Sequence, residues 1–248
     1  MPTPALRPIL ARDGIFNARD LGGVPTRDGR YVRPNALVRA DALHRAGDRS
    51  AQALAEHGVT LVLDLRDEAE RAREGVLAVD GIVVEHLPVL DPHYEWYDTD
   101  AALAERYVEI LDRFADRFIG GVELVAEAPG GVAYHCAVGK DRTGLLTALL
   151  LGALGVDEET IVADYARSSL AITVQATWAL IYGVYDRPVT DEDLESGVWS
   201  ARPDTMRATL AWLRAEHGGV EGYLTAAGLA LEVPEALRAR LLVDDPPE

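Results

Sequence analysis

The pattern of apolar and polar positions along this chain predicts strands that alternate with helices. A continuous apolar run at Val59–Leu65 predicts a buried strand, and shorter runs at Gly81–Leu87 and Gly131–Tyr134 predict two more. Apolar residues recur at helical spacing before and after the last of these strands, at Leu103, Tyr107, Ile110, Leu111, Phe114 and Phe118 and then at Leu145, Leu146, Leu149, Leu150 and Leu154. This order of elements predicts an α/β fold with a central, mainly parallel sheet flanked by helices.

The same pattern predicts one domain over residues 1–248, because it contains no repeat, low-complexity tract or long linker. A short helix is expected at Gln52–His57. Three helices, at Asp204–His217, Val220–Ala227 and Pro234–Leu242, are expected to close the domain over about residues 204–243. Residues 170–200 fit the alternation less well, since an apolar helical portion is followed there by a proline and an acidic stretch.

Composition limits the partners and compartments to be expected. The chain has 248 residues and a net charge of −17, and so acidic a surface repels nucleic acid at long range. We therefore expect no nucleic-acid partner. The single cysteine excludes an internal disulfide, residues 1–8 show no signal-peptide pattern, and no apolar segment is long enough for an integral membrane span. A cytoplasmic location is expected, with export without a signal peptide as the alternative, and the oligomeric state is left open.

Residues 135–144 read His-Cys-Ala-Val-Gly-Lys-Asp-Arg-Thr-Gly and connect the strand at Gly131–Tyr134 to the helix after it. Cys136 and Arg142 are separated by five residues. The consecutive N–H groups of such a loop, together with the positive end of the following helix, can converge on a phosphoryl group without a metal. The segment predicts a phosphate-binding loop formed by Ala137, Val138, Gly139, Lys140, Asp141 and Arg142.

The residue types of this loop predict nucleophilic chemistry. The thiolate is the reactive form of cysteine, and a helix N-terminus beside cationic groups favours it, so Cys136 is the predicted nucleophile. Arg142 offers a planar fork that can bind two phosphoryl oxygens as charge shifts in the transition state. The Thr143 hydroxyl is predicted to hydrogen-bond the sulfur, and His135 is predicted to order the loop.

These residues resemble the active-site loop of the cysteine-dependent phosphatases, in which Cys, five further residues, Arg and Ser or Thr follow one another. The form with Gly-Lys-Asp-Arg-Thr-Gly is similar to an atypical bacterial branch, whose members act on phosphotyrosine and, in some cases, phosphoserine, phosphothreonine or phosphoinositides. The resemblance includes Asn17–Gly23, Asp64–Arg66, Ala163–Tyr165 and Arg167–Ser168, and it covers about residues 14–243. It implies a protein-tyrosine-phosphatase-like fold that needs no cofactor and no metal.

The resemblance also implies a helical lid over the active site at about residues 170–200. Four aromatic residues in or beside it either cover the pocket or a lipid tail, or pack as core: Trp178, Tyr182, Tyr185 and Trp199. Lys140 accompanies the acceptance of highly phosphorylated lipid head groups in the relatives. Here it alternatively neutralises Asp141. Phosphate capture by so acidic a chain depends on a local positive focus, for which the loop amides, Lys140, Arg142 and Arg66 are the candidates.

Three aspartates are candidates for the general acid that protonates the leaving group. Asp141 lies within the loop and is favoured because this branch lacks the mobile Trp-Pro-Asp loop of the better-known tyrosine phosphatases. Asp91 occupies the place between strand and helix where dual-specificity relatives carry their acid. Asp64, at a strand end, is the third candidate, or else it holds Arg142 or Lys140 in place.

The predicted function is hydrolysis of phosphomonoesters through a cysteinyl-phosphate intermediate, with phosphotyrosine as the main substrate. The expected partner is a phosphorylated protein, a lipid head group or a small phosphomonoester. Two alternatives stay open, a non-catalytic phosphate-recognition module and a phosphatase of small metabolites. The intact set of Cys136, Arg142 and Thr143 argues against the first, because binding alone does not need a nucleophile.

Overall fold

Five strands form the central sheet of the computed structural model, which describes residues 9–91, 103–181 and 200–246, with side chains described to residue 174 in the second range. The strands are β1 (Arg19–Asp20), β3 (Leu37–Asp41), β4 (Val59–Asp64), β5 (Val83–His86) and β6 (Gly131–Cys136), and they lie in the order β1-β3-β6-β4-β5. Only β1 pairs antiparallel with its neighbour, so the sheet is mainly parallel, as predicted. β2 (Tyr31–Val32) and β7 (Leu242–Val243) form a separate antiparallel pair.

Helices cover both faces of this sheet. In chain order the α-helices of the described residues are α1 (Asp48–Glu56), α2 (Glu68–Glu74), α3 (Leu103–Arg113), α4 (Ala115–Glu127), α5 (Asp141–Ala153), α6 (Glu158–Ala166), α7 (Ser168–Ile181), α8 (Pro203–His217), α9 (Val220–Ala226) and α10 (Val233–Leu241). Two short 3₁₀ helices lie at Ala11–Asp13 and Leu43–Arg45. Several α-helices begin at recognisable signals, among them a capping box at Asp67 and a proline in the first turn of α8.

Alternating side chains of the strands face two different apolar clusters. Leu63 and Tyr134 belong to the larger cluster, which includes buried residues of α3, α4 and α5. Their neighbours Val62 and Ala133 belong to the smaller cluster, with Leu54 of α1. Because both faces are covered, the inner strands are almost continuously apolar, which is why their runs could be identified in the sequence.

The parallel strands end at one edge of the sheet and place four polar or reactive residues there. Asp41 of β3 is in register with Cys136 of β6, and Asp64 of β4 is in register with His135. In open parallel sheets, ligand sites lie outside these carboxyl ends. Asp64 and Cys136 therefore emerge at the same edge of the sheet.

Three elements differ from the predictions. β3 was not identified, because Arg39 and Asp41 interrupt its apolar run, yet both side chains are fully buried. The apolar stripe from Leu103 to Phe118 forms two helices, since the backbone leaves helical geometry at Phe114 (φ −118°, ψ 28°). The short helix predicted at Gln52–His57 begins earlier, at Asp48.

The organisation as one domain with a lid stays a prediction. α7 covers the beginning of the predicted lid, whereas Tyr182, Tyr185 and Trp199 and the side chain of Trp178 lie outside the described residues. The three closing helices at 203–217, 220–226 and 233–241 differ from their predicted bounds by a residue or so. Among the helices in the described ranges, none combines the length and apolarity needed to cross a bilayer.

A glycine pair tests how tightly β6 is packed. An alanine Cβ at Gly131 would lie 2.4 Å from the Asn35 carbonyl oxygen, whereas at Gly120, inside α4, its nearest contact would be Leu87 at 3.8 Å. We expect Gly131→Ala to lower the free energy of unfolding by about 1–3 kcal/mol, as overpacking does. Gly120→Ala should raise it by about 0.5–1 kcal/mol, because alanine is the better helix former. Urea unfolding of both variants is the measurement, and equal midpoints would contradict the prediction.

Candidate active site

The loop between β6 and α5 places Cys136 at its base. The residue is 2% exposed, and its sulfur accepts a hydrogen bond from the Gly139 N–H at 3.2 Å. Asp141 and Arg142 are the first residues of α5. The predicted nucleophile and the predicted phosphate-binding arginine therefore lie on one short turn between the end of a strand and the start of a helix.

Two carbonyls of the loop are held by side chains from other elements. Asn17 Nδ2 donates to the Val138 oxygen at 3.1 Å and to the Gly139 oxygen at 3.0 Å. Arg39 Nη2 also donates to the Gly139 oxygen, at 2.8 Å. In a trans peptide the C=O and the following N–H point in opposite directions. The amides of Gly139 and Lys140 are thus turned away from Asn17 and Arg39, and the first of them reaches the Cys136 sulfur.

Gly139 needs its lack of a side chain. Its φ is +72°, in the left-handed region, and an alanine Cβ would lie 2.6 Å from the Ala40 carbonyl oxygen of β3. The loop therefore lies directly against the backbone of the neighbouring strand. A larger residue here would force the loop away from Arg39.

A buried cluster of two arginines and one aspartate holds Arg39 in position against the loop. Arg39 donates to Asp164 of α6 at 2.5 Å, and Arg19 binds the same carboxylate at 2.7 and 3.2 Å. Although burial favours the neutral acid, the charges of Arg39 and Arg19 hold the pKa of Asp164 at about 2. Asp41 accepts the backbone N–H groups of Phe16 and Asn17 at 3.1 and 2.8 Å, which fixes the chain that presents Asn17.

Arg142 is held by Glu70 at the start of α2. Its two terminal nitrogens donate to the carboxylate at 2.5 and 2.8 Å, a bidentate pair. The same carboxylate accepts the Asp67 N–H at 2.9 Å, and the Asp67 side chain accepts the Glu70 N–H at 2.8 Å. Glu70 is thus both the capping-box residue of α2 and the partner of the loop arginine.

The charges of this pair stabilise each other. Burial by itself would raise the pKa of Glu70, but the hydrogen bonds and charge of Arg142 lower it to about 2. Burial opposes the charge of Arg142 as well, yet Glu70 and the nearby Cys136 raise its pKa above the ordinary value. Both groups are therefore charged at neutral pH. Each terminal nitrogen of Arg142 carries a second N–H that can reach a ligand oxygen.

The remaining loop residues match their predicted roles unequally. The Thr143 hydroxyl is buried and has no hydrogen-bond partner among the described residues, so its predicted bond to the sulfur is not made in this structure. His135 is fully buried, and its Nδ1 lies 3.2 Å from the Cys136 carbonyl oxygen. These contacts fit a residue that orders the loop, which stays a prediction.

Asp64 does not hold Arg142 or Lys140, which corrects one predicted role. It binds Arg66 through both oxygens, at 2.9 and 2.7 Å, because β4 turns directly after it, and it lies 3.3 Å from Arg71. Burial opposes its charge, but Arg66 and His135 keep its pKa below the ordinary value. Arg66 is itself fully buried. It is therefore satisfied by the sheet edge rather than offered to a phosphate.

The other two candidate acids have different surroundings. Asp91 pairs with Arg117 at 2.5 Å and Arg113 at 3.5 Å, and none of its hydrogen bonds or ion pairs within the described residues reaches the loop. Asp141 accepts the Tyr107 hydroxyl at 2.6 Å and lies 3.2 Å from the Lys140 ammonium. Lys140 is 1% exposed and also donates to the Ser200 carbonyl at 3.4 Å.

Four residues that shape the site were not predicted from the sequence: Arg39, Asp41, Glu70 and Tyr107. The signal for Glu70 is present, since Asp67 and Glu70 have the spacing of a capping box, but nothing in the sequence pairs it with Arg142. Arg39 and Asp41 belong to the strand that was not identified. Within the described ranges no group of His, Cys, Asp and Glu side chains is arranged to hold a metal ion.

This chain is similar to several known proteins. Residues 10–243 match the profile of the tyrosine phosphatase family. The chain is 30% identical to a triple specificity protein phosphatase, PtpB, from Mycobacterium tuberculosis, over 92% of this chain and 97% of that protein. It is 31% identical to a tyrosine-protein phosphatase from Nostoc commune, over 85% and 75% of the two chains. A crystal structure of TpbA from P. aeruginosa aligns with 80% of this chain and 90% of its own, at 18% identity and a TM-score of 0.37.

The buried histidines predict a pH dependence of stability. Burial lowers the pKa of His135 from 6.5 to about 4, with Asp64 opposing the shift and Arg66 adding to it, and burial likewise lowers that of His44 to about 4. Between pH 6.5 and 4 the unfolded chain binds more protons than the folded one. The free energy of unfolding should therefore fall as the pH is lowered through this window, by up to about 3 kcal/mol for His135.

Urea unfolding from pH 7 to 4.5 measures this slope before most carboxylates are protonated. In His135→Asn the slope should become shallower, because one of the two titrating groups is gone. An unchanged slope in this variant would show that His135 does not titrate as its burial predicts.

Proposed function

The chain belongs to the tyrosine phosphatase family, and we propose that it hydrolyses phosphotyrosine through a phosphorylated Cys136. It is a cysteine-dependent phosphatase of the protein-tyrosine-phosphatase type. The observation that supports the proposed mechanism is a pair of contacts on one turn of the chain. The Gly139 N–H points at the Cys136 sulfur, and Glu70 holds the Arg142 guanidinium at the other end of the same loop.

In the first step, the Cys136 thiolate attacks phosphorus and the bond to the leaving oxygen breaks. The Gly139 N–H is directed at the Cys136 sulfur, and the positive start of α5 and Arg142 lie on the same turn. The loop amides and Arg142 bind the three non-bridging oxygens as charge shifts onto them. An aspartic acid gives its proton to the leaving oxygen, which departs as a phenol or alcohol.

In the second step, water attacks the phosphorus of the cysteinyl phosphate, and the thiolate leaves with release of inorganic phosphate. The aspartate formed in the first step accepts a proton from this water. The buried Thr143 hydroxyl is available to donate to the departing sulfur, since it has no other partner among the described residues.

Asp141 is the proposed acid. It starts α5 within the phosphate loop and is partly exposed, whereas Asp64 is fully buried and held by Arg66. Asp91 is engaged by Arg117 and Arg113. Asp141 is therefore favoured by its position in the loop and because arginines engage the other two aspartates.

The range of substrates is proposed more broadly. PtpB is named a triple specificity phosphatase, which supports activity on phosphoserine and phosphothreonine or on lipid head groups beside phosphotyrosine. The ammonium of Lys140 lies beside Asp141 and the Ser200 carbonyl, so its contacts favour the neutralising role over direct binding of a second phosphate. A phosphatase of small metabolites stays the alternative. A cytoplasmic location stays a prediction.

Turnover of 4-nitrophenyl phosphate in the presence of a chelator tests thiol catalysis. We expect Cys136→Ser to abolish turnover and Arg142→Lys to lower kcat/KM by about 100-fold or more, because lysine cannot replace the bidentate fork. Urea unfolding followed by circular dichroism checks that Cys136→Ser is folded. Turnover that survives in Cys136→Ser would refute the mechanism and favour the phosphate-recognition module.

The role of Glu70 is tested separately. Glu70→Gln removes the charge that orients Arg142 and should lower kcat/KM by about 100-fold, the cost of misplacing a group by roughly 1 Å. Glu68→Gln changes an exposed carboxylate on the same helical turn and is the matched control. Equal effects of the two substitutions would exclude an orienting role for Glu70.

The acid is identified by the pH dependence of kcat/KM. Asp141→Asn should remove the basic limb of the profile and slow phenyl phosphate far more than 4-nitrophenyl phosphate, because the poorer leaving group depends more on protonation. Asp91→Asn should keep the limb. The opposite result would assign the acid to Asp91.

A further inference from the structure

The two oxygens of the Asp141 carboxyl group have unequal surroundings. Oδ1 accepts the Tyr107 hydroxyl at 2.6 Å and faces the Lys140 ammonium at 3.2 Å. Among the described residues, no donor is hydrogen-bonded to Oδ2. A carboxyl group anchored through one oxygen presents the other to its surroundings in a fixed direction.

Tyr107 is itself part of a chain of hydroxyl groups. Its oxygen lies 2.8 Å from the Tyr165 hydroxyl, and the rings meet edge to face with centroids 6.1 Å apart. Because Tyr107 gives its hydrogen to Asp141, Tyr165 must be the donor in the bond between the two tyrosines. The order Tyr165 to Tyr107 to Asp141 polarises each bond in the same direction.

The chain is built by three elements that meet at the loop. Tyr107 comes from α3, Tyr165 from α6 and Asp141 from the first turn of α5. Both tyrosines are almost fully buried. An alanine Cβ at Gly144 would lie 3.1 Å from the Tyr165 ring, so the last glycine of the loop motif makes room for this tyrosine.

The hydroxyl groups stay protonated throughout the working range of the enzyme. Burial and the charge of Asp141 raise the pKa of Tyr107 well above its ordinary value, and burial and Asp141 also raise that of Tyr165. Tyr107 is therefore a permanent donor. Among the described residues, the charged or titratable groups facing Asp141 are Lys140 and Arg142 from the loop, Tyr107 from α3 and Tyr165 from α6.

We propose that Tyr107, oriented by Tyr165, is a positioning residue for leaving-group protonation, and that it anchors Asp141 through Oδ1 so that Oδ2 carries the transferred proton. This inference rests on the proposed function, with Asp141 as the acid. Tyr107 does not touch the substrate or exchange a proton with it. It fixes the direction of the acid and favours the carboxylate that is left after transfer.

Tyr107→Phe removes the hydroxyl and keeps the ring. Without the donated hydrogen bond the ionised carboxyl group is less stabilised, so protons leave it at higher pH. The basic limb of the kcat/KM profile should move to higher pH by about one unit, the equivalent of one hydrogen bond to a charged group. At the pH optimum, kcat/KM for phenyl phosphate should fall about tenfold, as part of the 10²–10⁴-fold that a general acid supplies.

A buried tyrosine of α9 whose hydroxyl contacts α3 is the control that separates positioning from packing. Tyr223 is also buried, and its hydroxyl donates to the Leu111 carbonyl of α3 at 2.6 Å. Tyr223→Phe removes a buried tyrosine hydroxyl that contacts the same helix, and it should lower stability without moving the limb or changing the ratio of phenyl to 4-nitrophenyl phosphate turnover. Tyr165→Phe should move the limb in the same direction as Tyr107→Phe but less far.

The deciding experiment combines Tyr107→Phe with Asp141→Asn. In the Asp141→Asn background, the further change at Tyr107 should leave the ratio of the two substrates unaltered, because the group it positions is gone. If Asp141→Asn keeps its basic limb, the acid assignment in the proposed function fails. If Asp141→Asn loses the limb while Tyr107→Phe behaves like Tyr223→Phe, the proposed function stands and the positioning role is overturned.

Discussion

The active site depends on hydrogen bonds that turn the phosphate loop. A loop that is to bind an anion must direct its N–H groups inward, and its carbonyls then need partners on the outside, because unpaired buried carbonyls are costly. Asn17 and Arg39 provide these partners for Val138 and Gly139. Their position depends in turn on Asp41, which binds the backbone of Asn17, and on Asp164, which binds Arg39. Asn17, from the motif near the N-terminus, thus binds the Val138 and Gly139 carbonyls directly. Asp164, from the motif after the loop helix, acts on the Gly139 carbonyl through Arg39.

The charges beneath the loop are arranged so that none is buried alone. Asp164 lies between Arg19 and Arg39, Asp64 binds Arg66, and Glu70 binds Arg142. A buried ion pair adds little net stability compared with an apolar pair, but removing one partner leaves an uncompensated charge. The main contribution of these ion pairs is therefore to fix the orientation of the side chains around the loop. The chain as a whole is acidic, but the arginines of these pairs are fixed at one edge of the sheet. This local concentration of positive charge makes an anionic substrate compatible with the acidic composition.

How far the sequence predicts this structure depends on whether the signal is local. Leu63 and Tyr134 belong to apolar runs, and the loop from Cys136 to Arg142 is contiguous, so β4, β6 and the loop could be predicted. Arg39 and Asp41 look like surface residues in the sequence, and only the ion cluster that buries them explains β3. The partner of Arg142 was beyond reach for a related reason. Asp64 and Glu70 stand at similar distances along the chain from the loop, and the turn after β4 decides that Arg66 takes Asp64 and Arg142 takes Glu70.

Asp141, the proposed general acid, lies within the phosphate loop and not on a separate segment. When the acid belongs to a separate segment, its approach to the leaving group depends on the movement of that segment. Asp141, the proposed acid, instead follows Lys140 directly and starts α5, so the proposed nucleophile and the proposed acid lie on one short turn. Its carboxylate lies at the helix start, 3.2 Å from the Lys140 ammonium. Under the proposed function, the direction of this carboxyl group decides whether its proton reaches the leaving oxygen. Tyr107 contacts one of its oxygens and is itself hydrogen-bonded to Tyr165, which is the arrangement that the proposed positioning role requires.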